Sequence, residues 1–321
     1  MNDLTNSKSF NNNLQSSKDI EENNKIKLKT QNSSEYKIKY KPPSQVALPL
    51  VIFEEGKFII PDEAKKLLSQ ENYKNIGIIS LVGKYRTGKS FLLNRVILNR
   101  NQKSGFGVGP TFKPCTKGIW IWSDPIMITN VHSPTPFPCF LIDTEGLGAY
   151  DEEINHDSKI FLIAILISSL FIFNSFGAID ETAINSLSFV LNLSKTIKIK
   201  NANLNKNENE SELAQYFPTL LWLLRDFSLK LEDKDGNVIT EKQYLENALE
   251  EINGASDTIE EKNRVRNLIK TYFVEKDCFV MVRPVEKEND LQNLQNLPDE
   301  KLRKEFLEQS KIFRNKVFKK C

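Results

Sequence analysis

The sequence predicts an α/β fold in three layers, a mainly parallel sheet with helices on both faces. Three observations carry that prediction. Apolar runs of strand length alternate with helix-length patterns along the chain, as in a sheet built from crossovers. Those runs are greasy at every position, which strands covered on both faces require. The first strand-to-helix junction, Gly83-Lys-Tyr-Arg-Thr-Gly-Lys-Ser90, is glycine-rich and ends on Lys-Ser.

That junction organises the rest. Ile76-Gly-Ile-Ile-Ser-Leu-Val82 is an apolar, β-branched run, and Phe-Leu-Leu-Asn-Arg-Val-Ile follows Ser90 as a helix former. The pattern is G-x-x-x-x-G-K-[ST] in the strand–loop–helix context it needs, so this is a phosphate-binding loop. Gly83 and Gly88 let the backbone bend until successive N–H groups of Lys84, Tyr85, Arg86 and Thr87 can face phosphate oxygens. The following helix adds the field of its N-terminus. Lys89 neutralises β/γ-phosphates, and the Ser90 hydroxyl is a Mg²⁺ ligand. The fold class is thereby a phosphate-loop NTPase type.

Bulk properties narrow the function further. A chain of 321 residues holds one large domain or two ordinary ones. Its 44 basic and 42 acidic residues leave a formal charge of +2, which argues against a dedicated nucleic-acid binder. Cys115, Cys139, Cys278 and Cys321 are scattered without a C-x-x-C pair, and read as reduced thiols of a cytoplasmic protein. With only His132 and His156 present, a His-rich zinc site is not expected. The N-terminus lacks the apolar core of a signal peptide. The run Ile160 to Phe173 is too short for a transmembrane helix and contains Ser168-Ser169; it reads as a buried helix feeding a buried strand. Cys321 is not expected to act as a prenylation box, since the pattern needs three residues after the cysteine.

In chain order, residues 1–45 are Asn/Ser/Lys-rich and are expected to be disordered. Leu50–Phe53 and Phe58–Ile60 predict a hairpin with Gly56 in its turn, and Asp62 reads as the N-cap of a short helix. Asn99 to Pro114, with Gly105, Gly107 and Gly109, reads as a mobile loop. It leads through Cys115-Thr116-Lys-Gly118 into a strand, Ile119-Trp-Ile-Trp122. A threonine ending such a loop is where nucleotide switches put a second Mg²⁺ ligand. Cys139-Phe-Leu-Ile-Asp143-Thr-Glu-Gly-Leu147 places Asp143 at a strand end, as the second metal-site carboxylate, and Gly146 lets the backbone approach a γ-phosphate.

A helix from Asp157 to Ile167, a strand at Leu170–Asn174 and a helix from Glu181 to Ser194 come next, then a polar surface loop over 195–212. Phe217 to Leu224 is a further buried strand, and it closes on Arg225-Asp226. That pair belongs at the C-terminal edge of the sheet, where it is either a ligand reader or a structural salt bridge. Thr240-x-x-Gln243 and Asp257-x-x-Glu260 read as capping boxes. Cys278–Val282 is the last strand. Leu302, Phe306, Phe313 and Val317 mark one face of a terminal amphipathic helix, whose basic end, Lys311 to Lys320, complements the helix dipole or contacts acidic lipid.

The Asn-Lys-x-Asp guanine reader of small GTPases is absent at any strand end. Another carboxylate can accept the N1–H and N2–H edge of guanine, and Asp226 is the best placed. Together, Gly83–Ser90, Thr116-Lys-Gly-Ile-Trp-Ile-Trp122, Asp143-Thr-Glu-Gly-Leu-Gly148, Ser168-Ser to Asn174-Ser-Phe-Gly177, Leu224-Arg-Asp-Phe-Ser-Leu229 and Cys278-Phe-Val-Met-Val-Arg-Pro284 resemble the GTPase domain of the guanylate-binding proteins. These are large GTPases of the dynamin superfamily, and the likeness runs from about residue 47 to 318.

The resemblance implies a GTPase domain over 46–300, followed by the start of a helical region at 301–321. It makes Arg86 an internal arginine finger, Thr116 a metal ligand that holds the attacking water, and Glu145 the anchor of a water network. It also implies metal contacts from Ser90, Thr116 and Asp143 (the last through water). Nucleotide contacts would come from Gly83 through Phe91, from Val108, Gly109 and Pro110, from Asp143, Thr144, Glu145, Gly146 and Leu147, and from Arg225, Asp226 and Arg283. Residues 283–297 would cap the base and join a nucleotide-dependent homodimer that stimulates hydrolysis.

Three positions depart from the family pattern. Pro114 and Cys115 stand where a serine and a histidine are common, and Leu223 replaces a frequent threonine. Proline has no hydroxyl with which to assist water, so slower hydrolysis is expected rather than loss of GTP binding. The alternatives are a nucleotide-gated scaffold with little turnover, and an adenine-nucleotide enzyme. The long helical domain of some relatives and the membrane helices of the related atlastins are not in this sequence, so membrane work by this chain alone is not expected.

Overall fold

The computed structural model describes residues 45–71, 73, 75–100, 105–107, 118–129, 135–144, 146, 154–194 and 214–321. The expected disordered tail, apart from Gln45, and the expected loop over 195–212 lie outside these residues.

The strands are β1 (Ala47–Glu54), β2 (Lys57–Ile59), β3 (Gly77–Gly83), β4 (Ile119–Trp122), β5 (Ile126–Ile128), β6 (Phe137–Thr144), β7 (Leu170–Phe176), β8 (Thr219–Arg225) and β9 (Lys276–Met281). They make one sheet in the order β2-β1-β4-β6-β3-β7-β8-β9, with β5 also beside β6. Its centre, β6-β3-β7-β8-β9, is parallel. The β1, β2, β4 and β5 side is antiparallel. Helices are α1 (Asp62–Leu68), α2 (Lys89–Phe91, continued by Leu92–Ile97), α3 (Ile154–Ile167), α4 (Glu181–Ser194), α5 (Glu241–Ala248), α6 (Asp257–Tyr272), α7 (Glu288–Leu291) and α8 (Lys304–Lys320).

Strand geometry explains the three layers. Successive side chains point to opposite faces. Leu170, Ile172, Leu221, Leu223, Phe279 and Met281 accordingly enter one core, with Leu92, Val96, Phe306 and Phe313 of α2 and α8. Phe171, Phe173, Leu220, Trp222, Leu224 and Cys278 enter the other, with helices α3 to α6. Both faces being buried is why these strands carry no polar alternation. The mainly parallel, doubly covered sheet is as the sequence predicts.

Several local expectations need correction. Asp62 is the first helical residue, Pro61 being the cap, and its carboxylate takes Lys65 Nζ at 3.0 Å. Ser256, not Asp257, caps α6 by accepting from Ile259 N, while the Thr240–Gln243 capping box is present. Gly105–Gly107 is not loose: Phe106 is buried, and the Asn94 carboxamide bonds both its N–H (2.8 Å) and its carbonyl (2.9 Å). Strand β5 escaped the sequence reading because three residues are too few for a pattern. The helix after the phosphate loop widens, Leu98 N–H reaching Leu93 C=O at 2.8 Å.

The terminal helix α8 packs its apolar face on the sheet, with Phe91–Phe306 and Phe279–Phe313 rings in contact. Its basic end is engaged within the fold. Lys316 and Lys320 each reach Asp277 at 3.0 Å, and Lys316 also donates to Cys278 C=O at 2.7 Å. Burial pushes the Asp277 carboxyl up, but the two ammonium groups outweigh it and hold the pKa below the ordinary value.

Two outcomes follow from this docking. Phe313→Ala is expected to lower stability by roughly 3–5 kcal/mol in urea unfolding, because the site is fully enclosed. Because folding depresses the Asp277 pKa, its ion pairs stabilise the fold above about pH 4 and are lost as pH falls further. Stability should therefore fall less steeply through that range in Lys316→Met than in the native chain.

Candidate functional site

Parallel register assembles the site. In the β3–β6 pair Leu81 stands opposite Asp143, and in the β3–β7 pair Gly83 stands opposite Asn174. In the β7–β8 pair Phe176 stands opposite Arg225. Parallel strands end on one edge, so the loop after β3 and these residues share it.

The loop turns on Gly83 and Gly88. A Cβ on Gly83 would sit 2.1 Å from the Asn174 carbonyl oxygen, so no side chain fits where β3 leaves the sheet. Gly88 is left-handed (φ 74°) and caps α2. Arg86 also has positive φ (62°), a strained setting for a side-chain-bearing residue, and is exposed at the loop. Thr87 Oγ1 donates to Lys84 C=O at 2.7 Å, bracing the turn. The buried Lys89 ammonium lies in the bend, donating to the carbonyls of Gly83 (3.3 Å) and Lys84 (3.2 Å). Asn174 Nδ2 donates to Thr87 C=O at 3.1 Å, so β7 holds the loop from the side.

Ser90 Oγ donates to Asp143 Oδ2 at 2.5 Å, and Asp143 is fully buried at the end of β6. A hydroxyl and a carboxylate at this distance are hard oxygen donors of the kind Mg²⁺ takes, so the pair fits that ion. Gly146 presses on the loop itself: a Cβ there would stand 2.1 Å from Tyr85 Cα. Its lack of a side chain thus serves loop-to-loop contact. Thr144 Oγ1 donates to Leu81 C=O at 3.2 Å and the Phe91 ring stacks on Phe306. Both side chains face the fold, and only their backbone remains for a ligand.

Among the described residues Arg225 and Asp226 form no direct ion pair with each other, although the Asp226 charge acts on the guanidinium. The Arg225 guanidinium is buried near Gly88, whose added Cβ would lie 3.7 Å from Nη1. Its Nε and Nη1 find no hydrogen-bond partner among the described residues. Burial lowers its pKa to about 10, against the opposing pull of Asp226. Asp226 adopts positive φ (54°), and its buried Oδ1 also accepts no hydrogen bond there. Orphaned buried polar atoms are costly, and a polar ligand at this edge would satisfy them. Arg283, after β9, gives its Nη2 to Glu288 at 2.5 Å, while its buried Nε likewise has no hydrogen-bond partner among the described residues.

Val108, Gly109, Pro110, Thr116, Glu145 and Leu147 lie outside the described residues. Sequence reasoning missed the bracing by Asn174 and the tie from α2 to the chain after β9. In that tie, buried Arg95 donates to Leu297 C=O (2.8 Å) and Asp299 (2.5 Å). An arginine on the apolar run after the loop was the available signal. Among the described residues, no helix is long and apolar enough to cross a membrane.

Sheet order, loop and the serine–aspartate pair define a phosphate-loop NTPase fold. The family model described as "Guanylate-binding protein, N-terminal domain" matches residues 55–321. The chain is 37% identical over 271 residues to human guanylate-binding protein 4, covering 84% of this chain and 41% of that protein. It is 38% identical over 277 residues to human guanylate-binding protein 1, covering 84% and 45%. Mouse guanylate-binding protein 3 is 37% identical over 243 residues, covering 75% and 38%. The chain belongs to the guanylate-binding protein family, and spans about two-fifths of the length of these relatives.

The Gly146–Tyr85 contact gives a direct expectation. In Gly146→Ala, amide hydrogens of the Gly83–Phe91 segment should exchange roughly tenfold faster or more, because the loop must move to admit the methyl group. Unchanged exchange would mean that the glycine does not support the loop.

Proposed function

We propose that the chain binds GTP with Mg²⁺ and hydrolyses it to GDP and phosphate. The observation that carries this reading is the Ser90–Asp143 contact at the foot of a complete phosphate loop. Phosphate oxygens would lie on the backbone N–H groups of Lys84 to Phe91. The Lys89 ammonium would turn to them from the Gly83 and Lys84 carbonyls that it now contacts. Ser90, Thr116 and, through water, Asp143 would hold Mg²⁺. Held there, Mg²⁺ would supply positive charge to neutralise the phosphates.

Asp226 would accept the guanine N1–H and N2–H as a bidentate pair on its carboxylate, one oxygen of which is buried without a partner among the described residues, and adenine cannot match that edge. Arg86, exposed on the loop, would swing onto the γ-phosphate and stabilise charge as the bond to the leaving oxygen breaks. Thr116 and Glu145 would hold the attacking water, and Val108, Gly109, Pro110 and Leu147 would line the phosphates. Arg283 and the 283–297 segment would cap the base and meet a second copy, whose docking orients Arg86. A cytoplasmic location accords with this substrate.

A second reading has its own motive in Pro114. A chain without the water-assisting hydroxyl would bind GTP and dimerise as a nucleotide-gated scaffold with negligible turnover. Tight GTP binding with no phosphate release over hours would select it.

The hydrolytic reading expects a separable pattern in nucleotide-binding and phosphate-release assays. Lys89→Ala should lose binding of a fluorescent GTP analogue. Arg86→Ala should keep binding while turnover falls by about 10³-fold. Asp226→Asn should move preference from GTP towards XTP, since the new amide donates to the xanthine 2-carbonyl. ATP outcompeting GTP in the native chain would overturn the assignment of Asp226.

A further inference from the structure

Cys139 and Cys321 are separated by 182 positions in the sequence, yet their sulfurs lie 3.0 Å apart. Cys139 is fully buried on β6. Cys321 follows the last turn of α8 and is half-buried, with its N–H donating to Val317 C=O at 3.2 Å. The room for both sulfurs exists because the register partner of Cys139 is Gly77. A Cβ on Gly77 would stand 2.8 Å from Cys321 Sγ and 3.1 Å from Cys139 Sγ. The last turn of the helix is fixed by buried Val317 in the core and by Lys320 on Asp277. Two thiols are thus held together by a packed helix and a central strand. Nothing in the nucleotide site uses them.

We propose that Cys139 and Cys321 are a redox-active dithiol that closes to an intramolecular disulfide with a small disulfide oxidant of the glutathione type, and reopens on reduction. Closure needs the sulfurs to approach by about 1 Å, within reach of the last helical residues. The Cys321 thiol is the accessible partner. The contact with Cys321 and burial push the Cys139 thiol up, while the same contact lowers Cys321, so the half-buried sulfur is the one that ionises first. The Cys321 thiolate attacks one sulfur of glutathione disulfide, forming a mixed disulfide and releasing one glutathione thiolate. Cys139 then attacks Cys321 Sγ, its proton passing to the second glutathione thiolate as that leaves. Two protein thiols are oxidised and one glutathione disulfide is reduced to two thiols. The new bond would join the end of α8 to β6 across most of the described chain. It is independent of nucleotide turnover.

The test is to equilibrate the full chain with graded ratios of oxidised to reduced glutathione, quench in acid, alkylate in denaturant and map the peptides by mass. The expected result is joint loss of alkylation at Cys139 and Cys321, with a linked peptide that dithiothreitol removes. Cys321→Ser should abolish the linked peptide and leave Cys139 alkylated, whereas Cys278→Ser should retain it. Should Cys139→Ser fail to fold, Cys321→Ser at the helix end still decides the matter. The oxidised chain should also unfold at higher urea than the reduced chain, a shift absent from Cys321→Ser, because the link restrains the unfolded chain. Both thiols remaining alkylatable, arrest at a glutathione adduct on Cys321, links through other cysteines, or an unchanged urea midpoint would overturn the proposal.

Discussion

The constraint on which the rest of the structure depends is the parallel register of β6, β3 and β7. It brings Asp143, Gly83 and Asn174 to one edge, and the phosphate loop can form only where β3 ends between its neighbours. The Asn174 carbonyl leaves no room for a side chain at Gly83, and the Asn174 carboxamide then grips Thr87. From the other side, Ser90 ties the start of α2 to Asp143. The loop is therefore held by both adjacent strands. Its strained member, Arg86, is left at the exposed tip.

Preorganisation of this kind has a cost that the sheet must carry. A buried carboxylate, a buried guanidinium and backbone in left-handed regions all oppose folding. The counterweight is two apolar layers that share the same strands, with Trp222 and Phe173 in edge contact in one and Phe279 and Phe313 in the other. Because alternate residues of β7, β8 and β9 serve different cores, loosening either layer disturbs the strand ends that carry the site. Helix α8 contributes to this through Phe306, which packs on Phe91 directly after the loop lysine and serine.

Much of this was legible in the sequence for physical reasons. Strands buried on both faces leave unbroken apolar runs, and glycines at Gly83 and Gly88 mark a bend that other residues resist. Asp143 and Arg225 are charges at the ends of apolar runs, a pattern that by itself places them at a sheet edge. Other features left no local trace. The caps of α1 and α6 moved by one residue because Asp62 turns its carboxylate to Lys65 inside the helix, and because the Ser256 hydroxyl takes the Ile259 N–H ahead of Asp257. Asn174 looks like any polar residue closing a strand, and its grip on Thr87 exists only through register. Arg95 looks like a helix-surface arginine until Asp299 arrives from far along the chain. Cys139 and Cys321 are the extreme case, since spacing says nothing about two residues that meet through tertiary packing.

The central claim is that one sheet edge grips a guanine nucleotide by both its phosphates and its base. A crystal structure of the chain with a non-hydrolysable GTP analogue and Mg²⁺ tests it most directly. The account predicts phosphate oxygens on the amides between Gly83 and Phe91 and on Lys89, the metal on Ser90, and the guanine edge on Asp226. A nucleotide bound away from this loop, or one whose base leaves Asp226 without a partner, would contradict it.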